Sequence, residues 1–237
     1  MFRALPTLLA VALLLCALAL ISTYTFLPPL LEKLVARDLQ GRLGLVARPE
    51  VDLTSDSLPN MLLSRFEEGR VTNTNPELGS VRPDKATVDL RPFDLDVLGS
   101  LASGQIRGHG PPSGTLRVQL SKEEVARAAS SGAPGMGVTG VDLGEGYLTV
   151  GSEAEVLGAR VPVGMKGGFT LRDGELRFEP RRLEALGAPV PRRSTQDLLR
   201  GASFAYPVEL PVGEVSGVEV REDHLVLTGE VEDLPIG

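Results

Sequence analysis

Hydrophobic residues along this chain keep two different periods, and the points where one gives way to the other divide it into elements. Leu30, Leu31, Leu34, Val35 and Leu39 recur at helical spacing with Glu32, Lys33, Arg37 and Asp38 between them. That spacing predicts an amphipathic helix starting after the interruption at Pro28-Pro29 and ended by Gly41 or Gly44. A second, short helix is expected from Leu58 to Phe66, where Met61, Leu62 and Phe66 share a face and Gly69 follows the stop. From Ala86 the period becomes two. Ala86, Val88 and Leu90 alternate with Thr87, Asp89 and Arg91, and Phe93, Leu95 and Val97 resume the alternation one residue out of phase, which predicts a strand bulged near Pro92. Leu116, Val118 and Leu120 form another strand, and Ser121-Lys122-Glu123-Glu124 reads as a capping box opening a helix through Val125 and Ala128.

The strictest alternation runs through Val161, Val163, Met165, Gly167, Phe169 and Leu171, a long half-buried strand. Asp173-Gly174 suits a two-residue hairpin turn, and Leu176 and Phe178 carry the apolar face back. Gly144-Glu145-Gly146 and Glu222-Asp223 sit between similar strand pairs, so the order expected is a meander of adjacent hairpins. Ser194 to Arg200 reads as a last helix. The fold class expected is α+β, mostly antiparallel β. A sheet of eight or more strands with one greasy side exceeds what a few short helices can cover, so we expect it to curl around the amphipathic helix and leave a groove. A packed β-sandwich with no cavity fits the same pattern.

The first residues stand apart. Arg3 precedes an apolar stretch from Leu8 to Ile21, and continuing to Leu27 gives roughly 20 residues, enough to cross a bilayer. No small-x-small cleavage site follows, so residues 1–27 are read as an uncleaved anchor and residues 28–237 as one domain on the extracytoplasmic side, secreted if the segment is removed.

Composition narrows the chemistry. A net charge of −7 and a pI near 5.0 would repel a phosphate backbone, which sets nucleic acid aside as a partner. The one cysteine, Cys16, lies in the apolar opening, so the domain has no thiol for a disulfide or a metal cage. With no Trp, 3 Tyr and 7 Phe, the core must be built from Val and Leu. His109 and His224 have no second ligand or nucleophile at useful spacing. Gly164 to Gly168 lacks the spacing of a phosphate loop, and Glu153/Glu155 and Glu175/Glu179 fall on the polar side of strands. No enzyme, cofactor or metal is expected.

Four passages carry a resemblance: Leu58 through Val71, the strand-to-helix passage Leu116 to Val125, the hairpin Gly168 to Leu176, and Phe204 to Pro211 with its Tyr206-Pro207 and Leu210-Pro211 pairs. Together they resemble the LmeA-like phospholipid-binding family of actinobacterial-type envelopes, over about Leu30 to the C-terminus. Asn60-Met61 stand where that family has an aromatic-leucine pair. The resemblance implies a TULIP-like fold, in which a long curled sheet surrounds a helix, and non-catalytic binding or shuttling of phospholipid, inositol phospholipid included. It also implies a place in lipoglycan or envelope biogenesis and a membrane as partner. A scaffold domain without a lipid ligand is the alternative reading. If lipid lies along the greasy face, Leu62, Phe66, Val161, Val163, Met165, Phe169, Leu171, Leu176 and Phe178 line it. Arg181, Arg182, Arg192 and Arg193, beside a proline-containing loop, offer paired donors to a headgroup phosphate.

Overall fold

The helical stripe forms α1, residues 25–43. Its buried side chains, Leu27, Leu31, Val35, Ala36 and Leu39, follow one face, as the spacing requires. The helix does not wait for Pro28-Pro29 to pass: both lie inside it. Gly41 is helical too, and the helix stops at Gly44, whose φ of +63° is the left-handed conformation of a C-terminal cap. The computed structural model describes residues 25–77, 82–132, 137–156, 159–172, 174–185, 188–190, 203–208 and 213–236. The expected anchor up to residue 24 and the expected helix from Ser194 to Arg200 lie outside them. No helix among the described residues is long and apolar enough to cross a membrane.

Under α1 lies the first six-stranded sheet. Its strands are β1 (Glu50–Thr54), β3 (Glu68–Thr74), β4 (Lys85–Leu90), β6 (Gly114–Ser121), β14 (His224–Val231) and β13 (Glu214–Val220), in that spatial order and all antiparallel. The register lines up rows of apolar residues on one face. Val51, Val71, Val88, Leu116 and Gly229 form one row, and Asn73, Ala86, Val118, Leu227 and Val218 form the next. The opposite face is charged, with Asp89 between Arg70 at 2.7 Å and Arg117 at 3.1 Å. These ion pairs are exposed and contribute little.

Two expectations fail between β1 and β6. The short helix α2 (Leu58–Leu62) ends before Phe66. Ser57 caps it by accepting from the Asn60 N–H at 3.3 Å, but Ser64 takes a φ of 73° and throws the chain into strand β2 (Arg65–Phe66). The Glu67 carboxylate accepts from the Asp56 N–H at 2.9 Å, which holds its pKa below the usual carboxylate value. Beyond Leu90 there is no bulged continuation: Phe93–Asp94 is strand β5, which leaves the sheet to pair with β2, and Phe66 stacks on Phe93 at 5.4 Å. Val97 opens helix α3 (Val97–Ser103), capped by Asp96 accepting from the Gly99 N–H at 2.8 Å and closed by left-handed Gly104. Pro92 ends pairing rather than bending it, because it has no N–H for the ladder.

Half of the expected capping box forms. Ser121 accepts from the Glu124 N–H at 3.4 Å and opens α4 (Lys122–Gly132), with Val125 and Ala129 buried. Glu124 is itself buried, accepting from the Arg82 N–H at 3.1 Å and pairing with Arg127.

The expected hairpins form in both sheets, β13–β14 in the first and an unbroken meander in the second. It runs β7 (Gly140–Gly144), β8 (Tyr147–Val156), β9 (Ala159–Arg172), β10 (Glu175–Ala185), with β11 (Ala188–Pro189) and β12 (Phe204–Pro207) both paired along the far edge of β10. β9 is the long strand the alternation requires. In the first sheet β6 pairs with β14 instead of a sequence neighbour, so the second sheet is an insertion between them. The strands divide into two open six-stranded sheets and a two-stranded ribbon, where the sequence suggested one long curled sheet.

Candidate functional site

Between the last turns of α1 and the first sheet the packing leaves a hollow of about 50 Å³. Leu39, Leu43 and Leu45 roof it, and Val71, Ala86, Val88 and Leu116 floor it, with Leu234 beside them. Floor residues come from three neighbouring strands because the register sets them in adjacent rows. A small residue explains the gap: Ala86 reaches only one carbon above the sheet. One polar side chain lines this space. That side chain is Asn73, which is 9% exposed.

The other side of the same helical turns is polar. A groove of about 390 Å³ lies between α1 and the end of α3, lined by Arg37, Asp38 and Arg42 with Ser103, Gly104 and Gln105. Arg42 pairs with Asp38 at 2.9 Å, one turn earlier. Thus α1 separates an apolar space from a groove holding two guanidinium groups.

A second apolar hollow, about 10 Å³, marks the junction of the two sheets. Val125 and Ala128 of α4 face Phe169, Leu176, Phe204 and Tyr206 across it. Phe169, Phe178 and Phe204 form a ring cluster with centroids 5.2–6.4 Å apart. Gly167 is what admits Phe178: a Cβ there would stand 2.7 Å from Phe178 Cε2 and overlap the Glu179 carbonyl oxygen.

The structure disperses the lining residues named from the sequence. Phe66 is 2% exposed in the β2–β5 ribbon, away from both hollows. Leu62 belongs to α2, and its side chain lies outside the described set. Phe169 and Leu176 line the small hollow, and Phe178 packs against Phe169 and Phe204. Met165 is buried opposite Val150 and Leu183, whereas Val161, Val163 and Leu171 are half-buried along β9. None of the nine lines the larger hollow. That space is made by residues the sequence presents as ordinary core, and Asn73, a lone polar residue in the apolar phase of its strand, was the available signal.

Arg181 and Arg182 are exposed at an irregularity in β10, where the register with β9 slips between Pro180 and Arg182. Arg192 and Arg193 lie outside the described residues. His109 is exposed and His224 half-buried at the start of β14. No group of three or more His, Cys, Asp or Glu among the described residues could hold a metal ion.

The fold is thus an antiparallel α+β domain with an amphipathic helix laid over a small apolar hollow. The profile of the family described as LmeA-like phospholipid-binding matches residues 23–230. The chain belongs to that family. No curated protein and no solved structure matches it.

Proposed function

We propose that this protein binds a phospholipid at the cell envelope without catalysis, the first 27 residues anchoring it to the membrane and the domain holding or ferrying the lipid on the extracytoplasmic side. The observation that carries this is the match of residues 23–230 to a phospholipid-binding family; in the proposed pose an alkyl chain enters the hollow beneath Leu39 and Leu43 and phosphate meets Arg37 and Arg42 in the groove behind α1. Guanidinium suits phosphate because its donors are paired and permanently charged, and each buried methylene contributes about 0.8 kcal/mol. Small-molecule sites commonly have roughly 300–1,000 Å³, so a hollow of about 50 Å³ accepts a chain only when the end of α1 lifts.

Mass spectrometry of lipid extracted from the purified chain tests the reading. Phospholipid at near-stoichiometric level is expected, falling several-fold in Ala86→Leu, which fills the hollow, and in Arg37→Glu/Arg42→Glu. Native chain that carries no lipid and takes none from vesicles rejects it. The closed interior favours one other reading, a packed envelope scaffold. That reading predicts the same empty extract, together with normal folding of Ala86→Leu.

A further inference from the structure

Seven large apolar side chains are exposed among the described residues, and five of them lie on the first turns of α1 or on α2 and α3 with their connection. Leu98 and Leu101, 65% and 36% exposed, stand three residues apart on one face of α3. Leu63, 68% exposed, follows α2, which packs on α3, and the Leu95 N–H donates to Ser64 O at 2.9 Å to hold the two together. Phe26 and Leu30, 65% and 50% exposed, lie on the first turns of α1. Those turns extend past the end of β1 from which the chain enters α2, since Glu32 Oε1 accepts from the Leu53 N–H at 3.5 Å.

What covers these side chains follows from the chain that leads into them. Leu8 through Tyr24 contains no charged residue and joins α1 without a linker. A segment of that length and composition belongs in hydrocarbon, so the first turns of α1 stand where the chain leaves the bilayer. We propose that Phe26, Leu30, Leu63, Leu98 and Leu101 form a bilayer-contacting face that seats the domain on the lipid surface. This rests on the reading of the N-terminal segment as an anchor. A chain of net charge −7 gains nothing from an anionic surface, so the contact is carried by apolar insertion into the headgroup and acyl boundary.

The absence of tryptophan makes the test direct. Full-length Leu63→Trp, Leu98→Trp and Val46→Trp chains are reconstituted in phosphatidylcholine vesicles with or without brominated acyl chains. Val46 is 84% exposed beyond the last turn of α1, about 28 Å from Phe26 on the first turn at 1.5 Å per residue. Expected is a drop of about threefold in Leu63→Trp and Leu98→Trp emission with brominated lipid and little change for Val46→Trp. Flotation with vesicles without quenching at Leu63→Trp and Leu98→Trp overturns the docking face and leaves the anchor standing. Blue-shifted but unquenched emission shows that a second copy or a folded-back segment covers the face, which also overturns it. Failure to float rejects anchor and docking together, while lipid extraction reports separately on ligand binding.

Discussion

Single residues decide where this interior is full and where it is open. At Gly167 the sheet tolerates no side chain, because a methyl group would meet the Phe178 ring and the backbone of Glu179 and Pro180. Gly167→Ala should lower stability by about 1–3 kcal/mol, the range of overpacked cores, measured by denaturant unfolding. Gly140→Ala, with nothing within 4 Å of the added carbon, is the control and should change little. Asn73 poses the opposite case. Asn73→Leu puts a larger, apolar side chain on the wall of the larger hollow, so retained phospholipid should fall several-fold with little loss of stability. Equal lipid in both chains would remove Asn73 from the site. The sequence shows Gly167 only as an apolar-phase position in an alternating strand, and no periodicity distinguishes a glycine forced by a neighbouring ring from one that merely permits a turn.

Among the elements, those whose signals are local were legible. The alternation from Val161 to Leu171 and the turns at Gly174, Glu145-Gly146 and Glu222-Asp223 correspond to β9 with β10, β7 with β8, and β13 with β14. The Ser121 cap opens α4. By contrast, Phe93, Leu95 and Val97 alternate like a strand yet fall into β5, an isolated bridge and α3. There the caps Asp96 and Gly104 outweigh the period. The larger hollow was illegible for a related reason: its walls come from α1 and three strands, and a void is a property of their fit, not of any one segment. The end of α1 is where that fit can change. Gly41 is helical with open space around its Cα, so Gly41→Ala should stabilise the helix by about 1 kcal/mol and raise Tm. It should also slow lipid uptake from vesicles by stiffening the turns over the hollow. Faster or unchanged uptake in a stabilised variant would argue against entry beneath those turns.

At the scale of the whole molecule, a lipid bound as proposed would couple the helix, the first sheet and the α3 end into one cooperative unit. Removing it should therefore lower the melting temperature. A ligand present at a hundred times its Kd adds about 2.7 kcal/mol, and each kcal/mol is worth roughly 2–4 °C at this size, so delipidated chain should melt about 5–10 °C lower by calorimetry. Restoring phospholipid should recover the difference, and a thermogram indifferent to lipid would indicate a chain that carries none. The sheet division matters in another way. β6 joins β4 soon after synthesis, but the partner for its other edge, β14, comes roughly a hundred residues later in the chain. A nascent copy must therefore keep that edge from pairing with strangers until β14 is released. The β7–β10 hairpins can close on their own meanwhile. Because β14 follows every other described strand and fills the place between β6 and β13, a chain stalled before it is left with a sticky flank.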